Sequence, residues 1–182
     1  MTLTATDIGL YSFALFILFL TPGPVWVALI ARALSGGFPA TWPLALGVVV
    51  GDVLWPILAI FGVSLIASIY ADFLTILRYA GAAIFIVMGI GLIRHADRAV
   101  GENSQLTRPG IWAGFAAGLL VILGNPKAIL FYMGVLPGFF DLGAVTGWDI
   151  AVIAAISTLV PFLGNLILGL MVGKVRALLS SP

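Results

Sequence analysis

Asp52 and Lys127 are charged side chains set well inside apolar runs, and each sits beside a proline, Asp52 in "GDVLWP" and Lys127 in "NPKAIL". An ionised carboxylate at such depth in a bilayer costs at least ~2.5 kcal/mol even on a lenient insertion scale, so Asp52 requires a partner or water. A carboxyl that is neutral in lipid and charged in water can carry a proton, which makes Asp52 the candidate for proton coupling. The alternative is a static ion pair in which Lys127 holds Asp52 and glues two spans together. Pro56 adds to the chemistry here, because it cannot donate to the carbonyl four residues back and so frees that of Asp52 itself.

Two proline motifs extend the set. In "LTPGPVW", Pro22 and Pro24 leave the carbonyls of Leu18 and Leu20 without helical donors. Unpaired carbonyls in lipid cost several kcal/mol each, so they must face protein or a wet cavity. In both "TPG" and "NPK" a polar capping residue, Thr21 or Asn125, directly precedes a proline, the order expected at the N-cap and first position of a new helix. The reading therefore starts one half-helix at Thr21 and Pro22 and another at Asn125 and Pro126, both inside the membrane. Helix N-termini present free N–H groups and a positive dipole end, which suits an anion such as a substrate carboxylate. Thr21, Pro22, Gly23, Pro24, Asn125, Pro126 and Lys127 are accordingly the candidate substrate-binding or translocation residues.

The elements that position them are apolar and long. Of 182 residues 62% are hydrophobic and 8% charged, a composition no soluble domain of this size carries, so the chain is expected in a lipid bilayer. Five segments, roughly 8–34, 42–69, 73–93, 111–140 and 148–173, are each as long as the ~20 residues a helix needs to cross. They are too long and too continuously apolar for barrel strands, which predicts an all-α membrane protein with five transmembrane helices. A net charge of +1 provides no basic surface for nucleic acid. With no cysteine and the single His95, neither a metal site nor a cofactor is expected.

Arg32, Arg94, Arg98, Arg108, Lys174 and Arg176 fall on one side of the bilayer and Arg78 on the other. The positive-inside rule then puts the N-terminus outside and the C-terminus inside. Span 1 runs inward and span 4 outward, so homologous halves would be inverted. Aligning "LTPGPVW" with "GNPKAIL" pairs Pro22 with Pro126 at an offset of 104, and aligning "GDVLWP" with "ISTLVP" pairs Pro56 with Pro161 at 105. The chain is thus divided into a first repeat at 1–98, a cytoplasmic linker at 99–110 and a second repeat at 111–182, a 3+2 arrangement of an expected 3+3 in one membrane domain. Gly47 and Gly51, Gly110, Gly114 and Gly118, and Gly169 and Gly173 are small residues four apart that let helices approach closely. Trp42 and Trp148 open their spans as interfacial anchors, and Asn165 reads as a cross-span hydrogen bonder.

"TPGP" at 21–24, "LGVVVGDVLW" at 46–55, "LRYAGAAIFIVMGIGLIR" at 77–94 and "NPKAILFYMGVLPGF" at 125–139 together resemble the LysE/RhtB family of bacterial amino-acid exporters, over nearly the whole chain. The resemblance implies a multi-pass protein of the bacterial cytoplasmic membrane that extrudes amino acids or close derivatives, driven by the proton motive force. It carries over Pro22, Gly23, Pro24, Gly51, Asp52, Asn125, Pro126 and Lys127. Family members usually have six spans, whereas "VRALLSSP" at the end of this chain looks like the linker before the sixth. That leaves two expectations beside the exporter: a non-transporting fragment or accessory subunit, or an oligomer of this chain that supplies the missing wall. An intramembrane enzyme is disfavoured, because no cysteine or intramembrane histidine accompanies Asp52 and Lys127. With Asp52 the one acidic residue well inside a span, a neutral amino acid suits the site better than a basic one.

Overall fold

The computed structural model describes residues 2–63 and 108–179, together with Tyr79, Ile86, Ile90 and Arg94. Apart from Tyr79, Ile86 and Ile90, the expected third span, 73–93, lies outside the described residues, as does most of the linker 99–110. Among those residues the protein is helical and contains no strand, as the long apolar runs predicted.

Helix α1 (Ala5–Leu20) begins at a capping box: Asp7 N donates to Thr4 Oγ1, and Thr4 N donates to Asp7 Oδ2 at 2.9 Å. It stops where the prolines remove the next donors. Thr21 closes it, its N–H and its Oγ1 both donating to Ile17 O. At 16 residues α1 reaches ~24 Å, short of a full crossing on its own. The chain resumes as α2 (Pro24–Leu58), with Gly23 as N-cap and Pro24 in the first turn.

Helix α2 contains the first reversal of the chain. Gly37 has φ 68° and ψ −163°, a conformation that favours glycine, and it separates an arm of residues 24–36 from one of 38–58. The arms fold back on each other. Arg32 Nε donates to Ala40 O across the bend at 2.7 Å, and Arg32 and Pro43 both pack against Gly114. At the far end Val25 and Trp26 of the first arm face the same cavity as Val48 and Asp52 of the second. What is continuous in backbone hydrogen bonding is therefore two antiparallel arms, matching the sequence's separation of spans 1 and 2. After Leu58 a π-helical turn, Ala59–Val63, follows Pro56.

Helix α3 (Ile111–Leu123) runs beside the second arm of α2 in the same direction. Gly47 and Gly118 bring them together: a Cβ on Gly47 would lie 2.0 Å from Phe115 O, and one on Gly118 would lie 2.0 Å from Leu44 O. The small-residue spacing read from the sequence thus marks backbone-to-backbone approach. Beyond α3 the span is broken as expected. Helix α4 (Pro126–Leu130) leaves at an angle of 47° and continues through a π-turn (Phe131–Val135) and a 3-10 turn (Leu136–Gly138).

Helix α5 (Gly147–Leu179) is 33 residues long and lies parallel to α1. Three levels of contact establish that direction: Thr2 N donates to Asp149 Oδ1 at 3.0 Å, Tyr11 Oη meets Ser157 Oγ at 2.6 Å, and Phe19 packs against Gly164. Its other end reaches the hairpin, where Gly169 lies against Thr41 and Gly173 against Phe38. The outward faces of α1 and α5 carry exposed Leu10, Phe13, Phe16, Leu159, Leu163 and Ile167. A belt of that size is admissible in hydrocarbon and would drive aggregation in water, so this is an integral membrane protein.

Candidate functional site

The two breaks are brought together by one side chain. Lys127 is 7% exposed, and its ammonium donates to Leu18 O at 2.8 Å and to Thr21 O, the last carbonyls of α1. The Leu18 carbonyl is the one that Pro22 leaves without a helical donor, so the cation of the second break satisfies the backbone opened by the first. The placement is also favourable electrostatically, since a helix C-terminus carries partial negative charge. Gly23 makes room for it: a Cβ there would come within 3.3 Å of Lys127 Cε.

Lys127 is held in place from its own side as well. Asn125, 2% exposed, is the N-cap of α4, and its side chain accepts from Lys127 N at 3.1 Å, with Pro126 next in line. This cap is the one expected from "NPK". The expectation for "TPGP" needs correction by two residues. Thr21 does not cap α2 and Pro22 does not open it; Thr21 is extended and closes α1, Gly23 is the N-cap, and Pro24 takes the first turn. The physical reason is local. The Thr21 hydroxyl finds the Ile17 carbonyl within its own last turn, leaving Pro24, with its fixed φ and no N–H to lose, to start the next helix.

Two tryptophans complete the repair of the backbone. Trp26 Nε1 donates to Phe19 O at 2.7 Å beside the first break, and Trp55 Nε1 donates to Ile122 O at 3.2 Å beside the second. The Ile122 carbonyl is the one that Pro126 cannot serve. Sequence reasoning passed over both residues. Their signal was position: an indole in mid-span, away from the interface where tryptophan is common, must find an acceptor for its N–H.

Asp52 is 4% exposed and faces these residues across a cavity of about 40 Å³. That space has room for a few water molecules. Leu15, Leu18, Val48 and Ile122 form apolar walls, and Asp52, Asn125, Lys127 and Asn165 bring polar groups to it. Asp52 Oδ2 is buried without a hydrogen-bond partner. Among the described residues Asp52 and Lys127 do not form an ion pair, because the Lys127 ammonium is engaged with α1, so the static pair weighed from the sequence is not the arrangement found. Asn165 is likewise buried at 2% exposure, and its side chain makes no hydrogen bond to another described residue, against the cross-span bond expected of it. Beyond the cavity, Tyr11 contacts the rings of Phe131, Phe139 and Phe140 at centroid distances of 6.2, 5.6 and 5.1 Å.

The structure thus brings Asp52, Asn125 and Lys127 to one cavity, with Thr21 O and Gly23 touching Lys127 from the first break, whereas Thr21, Pro22, Pro24 and Pro126 are exposed and do not line that cavity. Among the described residues no group of three acidic, histidine or cysteine side chains could hold a metal ion.

Comparison with known proteins agrees with this architecture. The family model for LysE type translocators matches residues 16–182. A membrane protein of Synechocystis sp. is 35% identical over 77% of this chain and 68% of its own length. One from Pseudomonas aeruginosa is 31% identical over 87% of this chain and 76% of its own. The leucine efflux protein of Salmonella typhimurium is 30% identical over 82% of this chain and 70% of its own. No solved structure matches the chain. The match over residues 16–182 makes this protein a member of the LysE-type translocator family.

Proposed function

We propose that this protein exports a neutral, aliphatic amino acid from the cytoplasm across the bacterial cytoplasmic membrane in exchange for protons, with Asp52 as the proton-carrying group. The observation that carries the reading is the buried, unpartnered Asp52 Oδ2 beside the joined breaks of a LysE-type translocator. A carboxylate kept in such a place without a partner is a functional group rather than a packing element. The apolar walls of the cavity suit a branched aliphatic side chain, and the similarity to leucine efflux proteins points the same way.

The cavity, at about 40 Å³, is too small for a whole amino acid, so transport requires it to widen, alternately toward the two sides. Two inverted repeats hinged about the breaks would supply that motion, with Lys127 and Asn125 in the second and Asp52 in the first. Arg32, Arg108 and Arg176 lie toward the hairpin end and Asp7 and Asp149 toward the other, which supports an orientation with the N-terminus outside.

The test is efflux from proteoliposomes loaded with a labelled panel of neutral, basic and acidic amino acids under an imposed pH gradient. Leucine, isoleucine and valine are expected to leave fastest, with rates that collapse when the gradient is dissipated. Equal rates across the panel, or no dependence on the gradient, would overturn the reading.

A further inference from the structure

We propose that Asp52 Oδ2 is also the seat of the substrate's α-ammonium group, so that proton and substrate occupy the same carboxylate in turn. This rests on the exporter reading and assigns the recognition step within it. The geometry begins with what Lys127 is doing. An ammonium has three donors, and Lys127 gives two of them to Leu18 O and Thr21 O. Its third N–H is spent on neither carbonyl, and Lys127 lines the same cavity that Asp52 faces. The site therefore offers an unspent acceptor in Asp52 Oδ2 on α2 and an unspent donor in Lys127 on α4, beside the Asn165 amide on α5, in a space with largely apolar walls.

That pair is complementary to the two charged ends of an amino acid. The ammonium would hydrogen-bond to Asp52 Oδ2, with the buried amide of Asn165 on α5 as a further polar neighbour, and the carboxylate would take the third N–H of Lys127. The aliphatic side chain would lie toward Leu15, Leu18, Val48 and Ile122. The cavity of about 40 Å³ has room for the ammonium end and a few waters, and the remainder enters as it widens. Occupancy by a zwitterion leaves the net charge of the site unchanged. Protonation of Asp52 adds a positive charge, removes the acceptor and expels the ammonium, which is the exchange an antiporter needs. In that step the proton forms the O–H bond on Oδ2 as the ammonium-to-carboxylate hydrogen bond breaks. The other ionisable groups that act on Asp52 are Lys127 on α4, Tyr132 on the π-turn and Tyr11 on α1.

The experiment is calorimetric titration of the full-length protein in nanodiscs with leucine and with 4-methylpentanoate, the same molecule without its ammonium. Leucine should bind at least tenfold more tightly than 4-methylpentanoate and, between buffers of different ionisation heat, should release protons from the protein increasingly as the pH is lowered. Asp52→Asn should lose that preference while still binding 4-methylpentanoate, and Asp52→Glu should restore part of it. Should Asp52→Asn fail to fold, equal affinity of the wild-type protein for the two ligands overturns the proposal. An Asp52→Asn protein that binds leucine normally yet has lost pH coupling overturns it too, leaving Asp52 a proton carrier alone. Failure of the wild-type protein to bind any amino acid overturns the exporter reading and this inference with it.

Discussion

Replacing Lys127 by methionine tests whether the cation joins the two breaks. Methionine keeps most of the apolar stem that packs beside Gly23 and removes the ammonium that serves Leu18 O and Thr21 O. Hydrogen bonds to a charged group contribute roughly 1.5–3 kcal/mol each, which gives about 3–6 kcal/mol for the two. Water from the adjoining cavity can reach the freed carbonyls, and side-chain hydrogen bonds inside membranes average only ~0.6 kcal/mol, so the lower half of the range is the better expectation. We expect Lys127→Met to lose about 3–4.5 kcal/mol in reversible unfolding in mixed micelles. Lys174→Met, at an exposed site on α5, is the control and should change by no more than ~0.5 kcal/mol. A loss below about 1 kcal/mol for Lys127→Met, with helical content intact, would show that the broken α1 end does not depend on the cation.

Other consequences follow from the same geometry. Gly118→Ala puts a Cβ 2.0 Å from the Leu44 carbonyl and must separate α2 from α3, at a cost of about 1–3 kcal/mol in the same unfolding assay, whereas Gly9→Ala, with open space around it, should be neutral or stabilising. Asn125→Ala removes the N-cap of α4 and should cost ~1 kcal/mol, with hydrogen exchange at the Lys127 amide faster than in the wild type. Asp149→Ala removes the acceptor for Thr2 N and Thr146 N, so exchange at those two amides should rise while the amides of mid-helix α5 are unaffected.

The fold class was legible because its cause is compositional: runs this long and apolar have no soluble alternative. The breaks were legible for a similar reason, since proline removes a donor wherever it stands. Which proline starts the new helix was not. "TPGP" offers two, and the choice of Pro24 depends on the Thr21 hydroxyl finding Ile17 O within its own turn. Asp52 and Lys127 stood out as charges in lipid, but sequence distance could not say whether they meet. The answer lay in α1, whose open carbonyls attract the Lys127 ammonium more directly than Asp52 does. Trp26 and Trp55 were missed because their acceptors, Phe19 O and Ile122 O, exist only once the breaks are formed.

The central claim is that amino acid and proton are exchanged through the cavity at Asp52, and proton movement itself is its most direct test. Proteoliposomes holding the protein, a trapped pH-sensitive dye and an outward leucine gradient, with no pH gradient imposed, report whether leucine flux drives protons the opposite way. The account predicts acidification of the lumen as leucine leaves, absent with Asp52→Asn and absent without leucine. Leucine efflux that proceeds with no change in lumenal pH would contradict it.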